Sequence, residues 1–338
     1  MNQNLRNILD YLARPIKLER LIRWTAQPDI FPFYHSVSAE PLPHISHLYR
    51  VLKPDEFERD LEQLLSVYEP LNLNEYLHGI VNKKGRRTMV LSFDDGLKGC
   101  YDYIAPLLRK KGVPAVFFLN NRFIDNHGLF YRYKVSLLIH QSIHDCRVRE
   151  KLAEYLRISG EQVESSLRMI GWDQRSLLEA LAAEAGMDFK SYLRAKPVYM
   201  STGEIKDLLK WGFDVGAHSP EHMAFEDLDP EQMIEQVKTS VKDIKKRFGV
   251  ATAYFSFPFT SDGVPGQVIE SLLHEGCASV LMGTAGLKQT GNRAYIQRIP
   301  MDRYRSEAGN TLKTEYLYYL LKMPLGRNRL RYLSLIHI

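Results

Sequence analysis

The sequence predicts an α/β protein built on a parallel sheet, and three observations carry this prediction. Strand-like runs alternate with helix-like runs over about seven repeats, which implies a parallel sheet that is either open or closed. Runs such as 87–93 are short and apolar, as expected for strands that are covered on both faces. A helix-rich stretch at about 128–200 interrupts the alternation, and we interpret it as a helical insertion or cap.

Before the interruption, the pattern runs strand, helix, strand, helix, strand. Strands are expected at 29–37, 87–93 and 114–120, and helices at 53–68 and 97–112. The second helix is closed by Gly112, a residue type that suits the position after a helix C-terminus. The segment that precedes the first strand, residues 1–28, is expected to be amphipathic and helical.

After the interruption, the alternation resumes at residue 201. Helices are expected at 201–212, 230–249 and 266–276, and strands at 213–219, 253–259, 278–283 and 294–302. Ser201 and Glu204 have the spacing of a capping box at the start of the first of these helices. Residues 303–332 are expected to be a C-terminal tail. The last six residues, 333–338, read as a translated sequencing adapter, and we interpret them as an artefact without functional weight.

Composition narrows the class of protein. The 338 residues include 45% hydrophobic and 25% charged side chains, which are values typical of globular proteins. The net charge of +5 is too mild to indicate a nucleic-acid partner, and none is expected. Cys100, Cys146 and Cys277 are far apart, so neither a disulfide framework nor a cysteine zinc site is predicted.

The N-terminal segment bears on the cellular location. It lacks the uninterrupted apolar core of a secretory signal, and no run in the chain reaches the roughly 18 apolar residues of a membrane span. A cytoplasmic location is therefore expected. Leu5, Ile8, Leu9 and Leu12 recur at helical spacing, with basic residues further on. This stripe fits peripheral contact with a membrane surface or packing on the domain, and the sequence leaves both open.

Two polar clusters follow predicted strands. Asp94 and Asp95 come directly after strand 87–93, and His218 and His222 lie at the end of strand 213–219. Sites in parallel α/β proteins gather at the carboxyl ends of strands, so we expect these clusters to meet. Two histidines and one carboxylate form a three-ligand site with an open position, which suits Zn²⁺, with Co²⁺, Ni²⁺ or Fe²⁺ as substitutes.

The adjacent aspartates can then have different tasks. One would bind the cation, and the other would stay free to remove a proton from the attacking water. The alternatives are structural, since Asp-Asp-Gly is also typical of turns and helix N-caps. Two histidines four residues apart can likewise be ordinary surface side chains.

These residues carry a resemblance to a known family. "SFDDG" at 92–96 resembles the first motif, TFDDG, of the polysaccharide deacetylases of carbohydrate esterase family 4, and "HSPEH" at 218–222 matches the second motif. The similarity covers roughly residues 29–125 and 198–302. It implies a distorted (β/α) barrel with about seven parallel strands. It also implies that Asp94 is the catalytic base and that Asp95, His218 and His222 bind the metal.

"FSFPF" at 255–259 resembles the third motif of the family, which lines the substrate groove. The match implies that Phe257 and Pro258 contact the substrate, and that the backbone N–H of Phe259 stabilises the oxyanion of the tetrahedral intermediate. The arginine that this motif usually carries is absent, and Ser256 or its neighbours stand there instead. Arg298, on the last predicted strand, is a replacement from another direction.

The histidine of the family's fifth motif, which serves as general acid, has no counterpart in "SVLMG" at 279–283. His35, near the end of the first predicted strand, is the candidate for that role. The resemblance thus implies a metal-dependent hydrolase that removes acetyl groups from N-acetylated sugars. The expected cytoplasmic location favours a nucleotide- or lipid-linked precursor as the substrate over an extracellular polymer. The alternatives are a carbohydrate-binding protein that has lost turnover and an O-acetyl esterase with the same type of metal site.

Overall fold

The computed structural model describes residues 3–79, 87–303 and 306–330, and the predicted adapter segment lies outside them. The strands are β1 (Pro32–Tyr34), β2 (Tyr68–Pro70), β3 (Arg87–Met89), β4 (Leu91–Phe93), β5 (Ala115–Leu119), β6 (Asp214–Ala217), β7 (Tyr254–Ser256), β8 (Val280–Gly283), β9 (Tyr295–Gln297) and β10 (Ile299–Pro300). The helices up to the end of the insertion are α1 (Gln3–Ala13), α2 (Leu18–Thr25), α3 (Pro54–Leu65), α4 (Leu73–Leu77), α5 (Ala105–Lys111), α6 (Tyr131–His144), α7 (Cys146–Leu156), α8 (Val163–Met169), α9 (Leu177–Glu184) and α10 (Phe189–Ala195). The later helices are α11 (Thr202–Lys210), α12 (Pro230–Phe248), α13 (Gly266–His274) and α14 (Ala308–Lys322).

Eight parallel strands form the central sheet in the order β10-β1-β4-β5-β6-β7-β8-β9. The two edge strands of this order are consecutive in the chain and are separated only by Arg298. Because β9 pairs with β8 while β10 pairs with β1, one stretch of chain joins both edges and closes the sheet into a barrel. The predicted barrel is confirmed. It has eight strands rather than seven because the last predicted strand is divided in two.

The stretch 87–93, predicted as one strand, also divides. β3 pairs with β2 in a separate two-stranded parallel sheet, whereas β4 enters the barrel between β1 and β5. Helix 97–112 begins with a π-helical turn, Cys100–Ile104, before α5. The predicted capping box of α11 is present, because the Ser201 hydroxyl accepts from the Glu204 N–H at 3.3 Å and the Glu204 carboxylate accepts from the Ser201 N–H at 2.9 Å.

Side chains alternate between the inside and the outside of the barrel, and this alternation places the site. Val116 and Phe118 of β5 belong to a small apolar cluster with Val280 and Ile296, while the intervening Phe117 packs in the larger core against the helices. Gly216 of β6 leaves room for this filling, since a Cβ there would lie 2.6 Å from the ring of Phe118. The apolar cluster fills part of the barrel, so the polar groups stand at its carboxyl end.

The insertion and the termini complete the fold. The stretch 128–200 contains helices α6–α10 around an apolar cluster of its own, and no strand is found in it. The segment expected to be a C-terminal tail contains α14, which packs against α1 and α2 and buries Tyr316. None of the helices in the described parts of the chain is long and apolar enough to span a membrane.

Candidate metal centre

The two predicted clusters meet at the carboxyl end of the barrel. Asp94 and Asp95 follow β4 directly, and His218 follows β6. The N–H of Asp94 donates to the carbonyl of Tyr34 at 3.0 Å, and the N–H of His218 donates to that of Leu119 at 2.9 Å. Both residues therefore continue the hydrogen-bonding pattern of their strands, which fixes their direction into the barrel mouth.

Asp95, His218 and His222 converge on one point. Oδ1 of Asp95 lies 3.5 Å from Nε2 of His218 and 3.2 Å from Nε2 of His222. The three ligand atoms lie within 4.8 Å of one another, and the three side chains are buried. His222 and His218 hold the pKa of Asp95 well below its usual value although burial opposes this, so the carboxylate is ionised.

The donor set fits a divalent cation. Nδ1 of His218 lies 2.8 Å from the carbonyl oxygen of Ser256, so a neutral imidazole keeps its proton on this nitrogen and can present the lone pair of Nε2 to a cation. Oδ1 of Asp95 is buried and has no hydrogen-bond donor among the described residues. Lone pairs that converge in this way repel each other unless a cation lies between them, and an imidazole pair with one carboxylate suits Zn²⁺.

The backbone around these ligands is strained. Among the described residues, eight other than glycine have positive φ, and four of them belong to this site: Asp95 at 71°, Ser219 at 63°, His222 at 58° and Phe259 at 57°. Such conformations cost about 1 kcal/mol or more each and persist where the surroundings enforce them. The Ser219 hydroxyl accepts from the N–H of His222 at 2.9 Å, and this turn brings the two imidazole rings to 4.9 Å between centroids.

Arg298 forms a bidentate ion pair with Asp94. Its Nη1 donates to Oδ1 and its Nη2 to Oδ2, each at 2.7 Å, and further hydrogen bonds join it to the hydroxyls of Ser92 and Ser256. Both charged side chains are almost fully buried. Burial alone would raise the pKa of Asp94, but Arg298 and then His218 outweigh it and hold the pKa below its usual value. The sequence-predicted partner of Asp94 is thus in contact with it.

His35 faces the same cavity and has a carboxylate behind it. Nδ1 of His35 lies 3.0 Å from Oδ2 of Asp302, and the same oxygen accepts from the backbone N–H of His35 at 2.7 Å. Burial lowers the pKa of His35, but Asp302 outweighs it and raises the pKa to about 9. Asp302 was not among the predicted residues. Its place at the carboxyl end of the last predicted strand was the signal that could have indicated it.

A cavity of about 520 Å³ opens over these groups. Asp94, Asp95 and the three histidines line it, and its apolar wall is formed by Phe33, Phe130 and Phe259. Two expected substrate contacts are corrected, since neither Phe257 nor Pro258 lines the cavity. Both are buried, and Phe257 packs edge-on against Phe225 at 5.0 Å in the core. The backbone N–H of Phe259 makes no hydrogen bond within the described residues and remains available to an acceptor.

The insertion also contributes to the site, which the sequence did not reveal. The Tyr133 hydroxyl, on α6, donates to Oδ2 of Asp95 at 2.9 Å, and the Tyr49 hydroxyl lies 3.0 Å from that of Tyr133. The ring of Phe130 packs edge-on against His222 at 4.6 Å between centroids. The insertion is therefore packed directly onto the candidate metal ligands, and its hydrogen bond from Tyr133 fixes the orientation of the Asp95 carboxylate.

The chain was compared with family models and with curated proteins. Residues 81–271, more than half of the chain, match the family model described as Polysaccharide deacetylase. A search of curated proteins finds no match.

Solved structures provide the third comparison. The deacetylase PplD of Streptococcus pyogenes has a TM-score of 0.54 and 12% identity over 85% of this chain and 97% of its own. IcaB of Ammonifex degensii has a TM-score of 0.51 and 15% identity over 85% and 97%. A de-N-acetylase of Aggregatibacter actinomycetemcomitans has 0.51 and 13% over 85% and 99%. At these identities the likeness concerns the fold.

Proposed function

Because the chain belongs to the polysaccharide deacetylase family, we propose that it is a metal-dependent hydrolase that removes the acetyl group from N-acetylated sugars. One observation carries this proposal. The buried side chains of Asp95, His218 and His222 converge in one cavity beside an ionised Asp94, and Oδ1 of Asp95 accepts no hydrogen bond from the described residues. A divalent cation at the triad, with zinc the best match to these ligands, would act as a Lewis acid toward the acetyl carbonyl and the attacking water.

Asp94 is the general base in this proposal. Its low pKa keeps it ionised, and the two hydrogen bonds from Arg298 fix its plane. Arg298 is then a positioning residue, because it acts through Asp94 and does not line the cavity. The N–H of Phe259 is the donor for the oxyanion that develops as water attacks.

His35 is the general acid. The amine leaves only after it gains a proton, and an imidazolium beside Asp302 holds one throughout the neutral pH range. The third motif lacks its usual arginine and the fifth motif lacks its usual histidine, and these two departures favour a protein that binds carbohydrate without turnover. Arg298 contacts Asp94 and His35 lines the cavity, so a partner for the base and a candidate acid are both present, and this supports the hydrolase over the binding protein. The cytoplasmic location and the choice between N-acetyl and O-acetyl substrates stay predictions.

The test combines metal content with acetate release. Protein purified without chelator is analysed for bound metal and assayed on short N-acetylglucosamine oligomers and on an O-acetylated sugar, together with the His218→Ala/His222→Ala variant. We expect near-stoichiometric metal and acetate release in the wild type, and neither in the variant. Absence of bound metal after addition of zinc would refute the proposal. Preference for the O-acetyl sugar would replace the deacetylase by an esterase.

A further inference from the structure

A second groove continues from the cavity over the metal centre. It has a volume of about 800 Å³ and lies between the loops after β7 and β8 and the end of α14. Its wall and the wall of the cavity share Phe259, Thr260, Thr284, Pro300 and Arg303. The two depressions therefore form one surface, and a molecule that fills the cavity can extend into the groove.

This groove is cationic on its far side. Lys288, Lys322, Arg327 and Arg329 line it, and none of the four forms an ion pair with a carboxylate of the described residues. The groove has two acidic residues in its wall. One of these, Glu315, accepts a hydrogen bond at 3.2 Å from Arg6, whose positive charge offsets part of the carboxylate's charge. The balance of charge that faces the groove is thus positive.

The groove on the other side of the cavity differs, although it is of similar size at about 860 Å³. Three of the arginines that line it, Arg50, Arg59 and Arg168, form ion pairs with nearby carboxylates. Arg50 contacts Glu56 at 2.5 Å, and Arg168 contacts Glu164 at 2.7 Å. Unpaired cations are therefore a property of one side of the cavity and not of its whole surroundings.

Lys322 is the most unusual of the four cations. It is half-buried, and its ammonium lies 4.0 Å from the centre of the Tyr318 ring. Burial lowers its pKa to about 8, and Lys288 adds to this, although Glu315 and Asp262 pull in the opposite direction. A partly desolvated ammonium beside a second ammonium is costly without an anion, and a bound anion would relieve that cost.

We propose that the groove binds the phosphate-bearing part of the substrate, so that the acetylated sugar enters the cavity as a phosphate or diphosphate ester. The proposal rests on the proposed function and names its substrate class. Arginine and lysine are the side chains that bind phosphate oxygens most strongly, and arginine does so with two parallel hydrogen bonds. Nucleoside diphosphates and lipid diphosphates share this chemistry, and the substrate tests distinguish them.

Binding is tested first, independently of turnover. Titration calorimetry at low salt measures the affinity of pyrophosphate for the wild type, for Lys322→Gln/Arg327→Gln, and for Arg168→Gln as the matched control from the opposite groove. We expect the affinity of the double variant for pyrophosphate to be lower by a factor of about ten or more, and the affinity of the control to match that of the wild type. Equal affinity in all three proteins, or no binding to the wild type, would overturn the proposal.

Substrate choice is tested next. We compare kcat/KM for a neutral N-acetylglucosamine oligomer, a nucleoside-diphosphate-linked N-acetylglucosamine and a short isoprenyl-diphosphate-linked one. The wild type should prefer at least one diphosphate by about tenfold or more, and this ratio should fall toward one in the double variant. Equal kcat/KM values on neutral and diphosphate substrates would refute phosphate binding by the groove, and the proposed deacetylase activity would stand. Acetate release from none of them, with pyrophosphate binding lost in the double variant, would reject the proposed function and not the anion site.

Discussion

Replacement of Asp302 by Asn should shift the pH range in which the enzyme works. The pKa of His35 is about 9 in the native protein against an ordinary 6.5, and Asp302 is the main cause of the rise. This rise corresponds to about 3 kcal/mol of preferential stabilisation of the imidazolium. In Asp302→Asn the burial that lowers the pKa remains and the compensating charge is gone, so the pKa should fall to about 6.5 or below.

The expected change follows from these values. At pH 8 the protonated fraction of His35 falls from about nine-tenths to a few per cent, so kcat/KM should drop roughly thirtyfold at that pH and little near pH 5. Because the pKa is raised on folding, the pair also stabilises the fold fully below pH 6.5, and this contribution is lost as the pH rises through about 9.

The assay is the pH profile of kcat/KM for the wild type, Asp302→Asn and His35→Gln, with the pKa of His35 followed by NMR. A cation at the triad repels the imidazolium in the wild type and in Asp302→Asn alike, so the comparison depends on the difference between the two. His35→Gln should lose activity at every pH and show no alkaline limb from this group. An alkaline limb in Asp302→Asn that coincides with the wild-type one would refute the assignment of His35 as the acid.

Three further changes have defined outcomes. Arg298→Met leaves the aspartate that it clamps buried and unpaired, so we expect about 3–5 kcal/mol less stability in urea denaturation and about a hundredfold lower kcat/KM; a stable, active variant would contradict the pair. Tyr133→Phe removes a hydrogen bond to the metal-ligand carboxylate and should weaken zinc binding about tenfold in chelator competition, whereas Tyr49→Phe, which keeps that hydrogen bond, serves as the control. Gly99→Ala would press a methyl group against the carbonyl oxygen of Val37 and should cost about 1–3 kcal/mol in thermal unfolding, with zinc binding retained once the protein is folded.

Local sequence pattern was sufficient to predict that the candidate metal ligands lie close together. Asp95 and His218 follow apolar strand-like runs directly, and the carboxyl ends of parallel strands meet whatever the exact strand order is. The contact between Arg298 and Asp94 could be predicted for the same reason, because each residue directly follows a strand of the same barrel. What periodicity could not provide was the number of strands, since the division of the last strand depends on pairing with both sheet edges.

Other site residues depend on contacts that no local pattern encodes. Asp302 reaches His35 only because barrel closure sets β10 beside β1, which lie far apart in the chain. Tyr133 reaches Asp95 because α6 packs its own face on the barrel, and that face is apolar and aromatic like a core face. Phe257 was misplaced because a buried aromatic after a strand looks the same in sequence whether it faces the core or the cavity.

The closure of the barrel by a divided strand has a consequence for the order of events during synthesis. All three candidate metal ligands and the proposed base, Asp94, leave the ribosome before residue 298 does. Until that residue arrives the ring is open, and Asp94 lacks the positive charge that orients it. Hydrolytic capacity should therefore appear only when the ring is complete. A chain released before residue 298 should have no hydrolytic activity, because that activity requires the closed barrel.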